Sequence, residues 1–234
     1  VGMFDTWEAT MMANSSRDPI WRAVVSAEVA ATPGAADVIG VRCMSCHAPM
    51  ASREAQMTNA TLPTVATLVS GSDVGQLGLD GVSCVLCHQI APDNFGSESS
   101  WKGNYLLYDD RVLYGPHANP ATELMDPSGW TPAFGSHMTD TRLCATCHTL
   151  ITEALTPDGT PTGGALVEQA PYLEMLNSSS NQSSCQNCHL PPRADDESGI
   201  STYIARSPSG PDFPGLNERP IARHVLVGGN SLVP

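Results

Sequence analysis

One five-residue pattern, Cys-x-x-Cys-His, occurs four times in this chain of 234 residues and is its strongest chemical feature. We number the copies motif one to motif four; they occupy residues 43–47, 84–88, 144–148 and 185–189. Together they contain every cysteine of the chain, namely Cys43, Cys46, Cys84, Cys87, Cys144, Cys147, Cys185 and Cys188. Two thiols at this spacing can form thioether bonds to the two vinyl groups at one edge of a haem, while the adjoining histidine binds the iron. The motifs therefore predict four haem c groups, with the proximal iron ligands His47, His88, His148 and His189.

Paired cysteines have two other common uses, and neither accounts for the histidine that ends each motif. A zinc ribbon uses two cysteine pairs for each metal ion and would leave these histidines without a role. A disulfide framework, which an even number of cysteines in an exported protein also allows, has no use for them at all. Repetition of the complete motif with no cysteine left over favours haem attachment.

The histidine count limits how the second axial position of each iron can be filled. Of seven histidines, four belong to the motifs, which leaves His117, His137 and His224. A lone histidine is most often a surface or hydrogen-bonded residue. Here the demand for ligands favours iron binding, since two histidines keep an electron-transfer haem low-spin and closed. We expect these three residues to complete three haems, so one haem differs from the others.

Three alternatives remain for the fourth distal position. A methionine thioether can fill it, as in small cytochromes c, and Met11 and Met12 on a predicted first helix are the best candidates; their alternative role is core packing. A histidine from a neighbouring subunit can also fill it, but in a homopolymer each chain donates as many ligands as it receives, so the shortage persists. An empty position would leave a five-coordinate haem open to a small ligand.

The composition predicts a fold built around cofactors rather than large side chains. Aromatic residues make up only 6% of the chain, while Gly and Pro number 20 and 19. Four haems would supply the apolar bulk that aromatic side chains usually provide, and the many Gly and Pro residues indicate turns. We expect a single domain, residues 1–234, that is mainly α with extensive loops and little or no sheet.

Local patterns place the expected helices. Apolar residues three and four positions apart predict a first helix that carries Trp7, Met11 and Met12, and a second over Pro19 to Ala31 with Asp18 as its cap. Further short helices are expected at residues 52–60 and 171–176. Residues 93–100 are expected to form a solvated loop, and residues 157–159 a turn.

Charge and hydropathy argue against a nucleic-acid partner and against a membrane span, and haem attachment indicates an exported protein. The net charge of −13, with Lys102 the only lysine, is unlike that of a nucleic-acid-binding protein. No stretch of about 20 apolar residues exists, so we expect no membrane span. Haem c is attached outside the cytoplasm, so we expect an exported protein of the periplasm, cell surface or extracellular space. No secretion leader is recognisable at Val1, which predicts that one has been removed.

Several segments around the motifs resemble segments of exported bacterial multihaem cytochromes. They are residues 7–14 and 17–19, residues 80–84, residues 114–117, residues 143–149, residues 169–174, and His224 with Gly228-Gly229-Asn230. The class that they resemble includes tetrahaem electron carriers related to the one that serves hydroxylamine oxidoreductase. It also includes outer-surface multihaem cytochromes, some of which polymerise into extracellular filaments.

The resemblance implies four haems stacked in alternating parallel and T-shaped pairs, mostly with two histidine ligands, and electron transfer as the function. It implies distal roles for His117, His137 and His224, and Met11 and Met12 belong to the pattern. Expected partners are redox proteins, extracellular electron acceptors or further copies of the chain in a conductive filament. The alternative function is a multihaem reductase that acts on a small nitrogen or sulfur compound at one open haem. No Cys-x-x-Cys-Lys variant of the motif exists, so we favour an electron carrier over an enzyme.

Overall fold

The fold is described from a computed structural model over residues 3–122, 126–192, 199–203 and 217–228. The helices in these residues are α1 Met3–Trp7, α2 Pro19–Ala31, α3 Ala36–His47, α4 Pro49–Met57, α5 Val65–Leu68, α6 Asp73–Gly78, α7 Cys84–Gln89, α8 Thr141–Ala145, α9 Pro171–Leu176 and α10 Cys185–His189. Short 3₁₀ turns are formed by Pro33–Ala35, Glu98–Ser100, Asp126–Ser128 and Ser136–Thr139.

Three small two-stranded sheets accompany the helices. The strands are β1 Val112–Gly115, β2 Thr131–Phe134, β3 Leu150–Leu155, β4 Pro161–Gln169, β5 Ser201–Thr202 and β6 Arg219–Pro220. The pair β1–β2 is parallel, whereas β3–β4 and β5–β6 are antiparallel. About 41% of the described residues are helical and about 15% lie in strands. The mainly helical class is confirmed at this coarse level, but the sheet content exceeds the expectation of little or none.

Helix α2 spans the predicted residues because local chemistry specifies both of its ends. The Asp18 carboxylate accepts a hydrogen bond from the Ile20 N–H at 2.8 Å, and Pro19 occupies the first turn. Trp21 and Val25, one turn apart, form its buried face. The predicted helix over residues 171–176 is likewise confirmed, whereas the one expected at residues 52–60 begins earlier, at Pro49, and ends at Met57.

The predicted first helix is wrong beyond Trp7. Helix α1 ends there, and Met11 and Met12 lie in a series of turns. Side chains in this segment compete with helical hydrogen bonds: the Thr10 hydroxyl accepts from the Ala13 N–H at 3.1 Å, and the Asn14 amide donates to the Thr10 carbonyl at 2.9 Å.

The buried apolar side chains form three small clusters, each of which contains a residue from inside a motif. The first consists of Trp21, Val25, Met44, Ala48 and Leu68; the second of Leu86, Ile90, Tyr105 and Leu143; the third of Trp101, Ala145 and Tyr172. Because each cluster is small and borders a motif, this organisation suits a fold whose main apolar bodies are attached at the motifs.

Within the described ranges, no single helix is long and apolar enough to cross a membrane; only the bent pair Pro19–Ala31 and Pro33–His47, which meets at 109°, passes that test by joint length and composition.

Candidate haem-binding site

Local structure places the two cysteines and the histidine of a motif on one side of a helical turn. Motif one forms the end of α3, motif two lies in α7, and motif four makes up the whole of α10. Motif three begins in α8 and continues as a turn in which the His148 N–H donates to the Cys144 carbonyl at 2.9 Å. Residues three and four positions apart are neighbours on a helix, so each motif offers its thiols and imidazole together.

All eight thiols are free of disulfide bonds, and four of them form two contacts between motifs. The Cys147 thiol lies beside that of Cys46 and lowers the pKa of the Cys46 thiol. The Cys144 thiol lies beside that of Cys185 and in the same way lowers the pKa of the Cys185 thiol. Motif three therefore lies between motif one and motif four.

Three motif imidazoles are oriented by the backbone in the same way. Nδ1 of His47 lies 3.3 Å from the Ser15 carbonyl oxygen, and Nδ1 of His88 lies 2.6 Å from that of Tyr114. The same ring atom of His189 contacts the carbonyl oxygen of Val227. Because a carbonyl oxygen can only accept, these Nδ1 atoms carry the protons, and the Nε2 lone pairs are left for a metal.

His148 differs from the other motif histidines. Among the residues that the structure describes, its ring makes no hydrogen bond, and the residue is exposed to solvent. Protein atoms around the ring nevertheless desolvate it, and this burial, with a smaller contribution from His189, lowers the pKa of His148. A lowered pKa keeps the imidazole neutral, which is the form that binds metals.

His224 lies opposite the imidazole of motif two. Its ring centroid is 6.5 Å from that of His88, with 24° between the ring planes. Its Nδ1 atom lies 3.1 Å from the Ala222 carbonyl oxygen, so here too Nε2 is the unprotonated nitrogen.

His137 is buried and uses its other ring nitrogen. Nε2 donates to the Ile90 carbonyl at 2.9 Å, and the ring meets the edges of Tyr114 and Phe95 at centroid distances of 4.8 and 5.9 Å. This hydrogen bond leaves Nδ1 as the nitrogen available to a metal. His117 lies beside β6: burial and the nearby Arg219 lower its pKa, while a hydrogen bond with the Pro220 carbonyl opposes the shift.

The two candidate methionines lie near the start of motif two. The Met12 carbonyl accepts from the Val82 N–H at 3.0 Å, so this segment docks just before Cys84. Met11 is 41% exposed, and Met12 is partly buried. Sequence reasoning missed a third thioether here: the Ser83 hydroxyl donates to the sulfur of Met50 at 3.1 Å. Met50 lies only three residues after His47. This closeness to motif one is the sequence feature that could have marked Met50 as a candidate.

Tyr105 and its neighbours join motifs one and three, and sequence reasoning missed this role as well. The buried Tyr105 hydroxyl donates to the Ser45 carbonyl at 2.8 Å, inside motif one. On the other side, Gly103 N–H donates to the Thr146 carbonyl at 2.7 Å, inside motif three. Burial is the main cause that raises the pKa of Tyr105 well above its usual range. Together, the Tyr105 hydroxyl and the Gly103 N–H tie motif one to motif three.

The donor set fits haem c better than the two other uses of paired cysteines. Every cysteine and histidine lies within the described ranges, and in these ranges no group of three or more His, Cys, Asp or Glu side chains converges as a zinc site requires. Single imidazoles with a free Nε2, each beside two reduced thiols, suit a metal held mainly by a macrocycle.

Comparisons of the chain with protein-family models, with curated proteins and with solved structures found no match. The function is therefore inferred from the chain's own residues.

Proposed function

We propose that this chain is an exported tetrahaem cytochrome c that transfers electrons through its four haems. The observation that carries the proposal is the common state of the imidazoles in motifs one, two and four. In each, Nδ1 is held by a backbone carbonyl and Nε2 is left beside a reduced Cys pair. A hydrogen bond from the far ring nitrogen to a carbonyl is the usual support of a metal-binding histidine, because it sets the tautomer and the ring orientation.

In this function the polypeptide would hold and orient the four haems and shield them from water. Bound haem supplies a reversible one-electron couple at its iron. The two cysteines of each motif would hold one edge of a haem through thioether bonds, and the histidine that follows would bind its iron. Met44, Leu86 and Ala145, in motifs one to three, belong to separate apolar clusters, which would limit the access of water to these haems and so tune their reduction potentials.

Contacts between motifs support a relative arrangement of the haems. The thiol contacts bring motif one next to motif three, and motif three next to motif four. Leu86 of motif two packs in one cluster with Leu143 and Cys147, so motif two also borders motif three. The segment of residues 221–228 joins motif four to motif two, since Val227 contacts His189 and His224 faces His88. We infer that the motif-three haem lies among the other three.

The proposed surroundings of the protein follow from its chemistry. Covalent haem attachment takes place outside the cytoplasm, so we assign the protein to the periplasm, cell surface or extracellular space. With a polypeptide charge of −13, electrostatic steering favours a basic redox partner, and salt should slow the encounter.

Haem content tests the proposal directly. The chain, produced with a secretion leader in a bacterium that matures c-type cytochromes, should retain four haems after denaturation, measured by intact mass and pyridine haemochrome absorbance. The double variant Cys185→Ser, Cys188→Ser is the matched control and should retain three. The reduced protein should pass electrons to an oxidised basic redox protein in a stopped-flow mixture, more slowly as salt rises. A chain that carries zinc, or that releases its iron on denaturation, contradicts the proposal.

A further inference from the structure

We propose that His88 and His224 are the two axial ligands of a single haem, the one attached at motif two. This inference rests on the proposed function, and it assigns a distal ligand that the histidine count alone leaves open. The observation behind it is the position of the two imidazoles relative to each other.

The ring separation fits a metal between the rings rather than direct contact. A true ring stack in this protein, Trp21 on His47, has centroids 4.6 Å apart and planes 8° apart. The centroids of His88 and His224 are 6.5 Å apart, with 24° between the planes. With metal–nitrogen bonds of about 2 Å on both sides and roughly 1.2 Å from nitrogen to ring centre, imidazoles on opposite sides of one metal have centres about 6.4 Å apart.

Hydrogen bonding leaves the same nitrogen free on both rings. Nδ1 of His88 donates to Tyr114, and Nδ1 of His224 donates to Ala222. No hydrogen bond in the described part of the chain engages Nε2 of either residue. Each imidazole therefore presents the unprotonated nitrogen that an iron requires.

Backbone contacts on both sides of His224 fix its position. Arg223 N–H donates to the Pro191 carbonyl at 3.0 Å, and Ile221 N–H donates to the Ile200 carbonyl at 3.0 Å. On the other side, the Val227 carbonyl contacts Nδ1 of His189. The segment thus supports the proximal histidine of motif four and presents a distal ligand to motif two.

Other donors near motif two are less suited to this position. His137 lies close by, but its Nε2 is occupied by the Ile90 carbonyl, and its Nδ1 lies against Gly135, where an added Cβ would be 2.9 Å away. The Met50 sulfur accepts a hydrogen bond from Ser83, and Met11 is largely exposed. It follows that the haem without a second histidine is not the one at motif two, despite the nearby methionines.

Spin state tests the assignment. In the fully loaded protein, His224→Ala should convert one haem from low spin to high spin, seen by electron paramagnetic resonance and magnetic circular dichroism. Added imidazole should restore the low-spin signal, which would not happen if His224 had only a structural role. Introduced into a Cys84→Ser, Cys87→Ser variant, which lacks the motif-two haem, His224→Ala should change no further signal.

Each outcome separates this inference from the proposed function. Failure to attach haem in the parent protein overturns the proposed function. Four attached haems with an unchanged low-spin count in His224→Ala overturn only the axial pairing, as does a spin change that persists without motif two. If His224→Ala fails to fold, His224→Met should give a methionine-to-iron charge-transfer band in the near infrared; an unchanged spectrum of that variant overturns the pairing.

Discussion

At the scale of single residues, the imidazoles differ in which ring nitrogen the backbone engages. Nδ1 is engaged in His47, His88, His189 and His224, whereas in His137 it is Nε2. This difference decides which nitrogen can face a metal, because a ring nitrogen that donates to a carbonyl has no lone pair to offer. His137 can therefore serve as a ligand in this conformation only through Nδ1.

A second residue-scale feature is the Asp140 cap of the helix that begins motif three. Its carboxylate accepts from the Arg142 N–H at 2.8 Å and pairs with the Arg142 guanidinium at 2.5 Å. The hydrogen bonds from Arg142 lower the pKa of Asp140. Because the folded-state pKa is depressed, the stabilisation is present above the unfolded pKa of about 3.9 and is lost as the pH falls through the folded value.

We predict that Asp140→Ala lowers the free energy of unfolding by about 1 kcal/mol at pH 7, through loss of the cap. The difference from the parent should shrink as the pH falls below about 4 and through the lowered pKa of the folded Asp140 carboxyl. Denaturant unfolding of the loaded protein at both pH values measures this. Asp140→Asn keeps a capping oxygen but not the charge, so its free energy of unfolding at pH 7 should lie between those of the parent and Asp140→Ala. A loss of stability in Asp140→Ala that does not change with pH contradicts the prediction.

At the scale of elements, two segments without a strong sequence signal position the motifs. The first is the β3–β4 hairpin, whose turn contacts the chain between α2 and α3 through a hydrogen bond from Gly34 N–H to the Pro157 carbonyl at 3.2 Å. At its other end, the Gln169 side chain donates to the Cys147 carbonyl at 3.1 Å, inside motif three. The second is the turn-rich segment after α1, which docks just before motif two.

Gly81 is the critical residue for docking of that second segment. It has φ +59°, and a Cβ added there would lie 2.4 Å from the Ala13 carbonyl oxygen. Gly71 has φ +75°, but a Cβ added there would meet no atom within 4 Å. Substitution of Gly71 therefore provides a control for backbone strain alone.

We predict that Gly71→Ala lowers the free energy of unfolding by about 1–2 kcal/mol, the cost of a left-handed alanine. Gly81→Ala should lower it by a further 1–3 kcal/mol or so, since the N-terminal segment must also move. Guanidinium unfolding followed by circular dichroism measures both variants. Equal losses would mean that the close contact with Ala13 has no energetic consequence.

At the scale of the whole molecule, motif three borders the other three motifs. The hypothesis of a conductive homopolymer requires two haems of each subunit to be exposed on different sides, so that each meets a haem of the next subunit. A shared histidine would not remove the shortage of ligands, because each copy gives as many as it receives.

The polymer hypothesis predicts filaments in which an exposed haem of one subunit lies next to an exposed haem of its neighbour. Electron microscopy of native material, at a resolution that shows haems and side chains, tests this. Isolated particles in which all four haems are covered by protein would contradict the polymer and leave a discrete carrier. The matched control is the protein without the motif-two haem, Cys84→Ser with Cys87→Ser, which should leave a gap in the haem array of every subunit.

Elements whose ends are set by local contacts agree with the sequence prediction, whereas elements that depend on distant contacts do not. Helix α2 was predicted at its observed bounds because Asp18 and Pro19 act locally. Helix α1 was extended too far, because the turns after Trp7 depend on contacts with Val82, distant in the chain. The β3–β4 hairpin was missed since β4 is exposed along most of its length and lacks an alternating apolar pattern. Gly229 and Asn230, which contributed to the resemblance, lie outside the described residues.

The sequence by itself determined the four predicted attachment sites and the shortage of one histidine. Both follow from spacing and counting, since two cysteines and a histidine three and four positions apart meet wherever the chain forms a helical turn. Only the tertiary structure decided which carbonyl orients each imidazole, that motif three lies between motifs one and four, and that His224 faces His88. These contacts join residues far apart in the chain, and no local pattern encodes them.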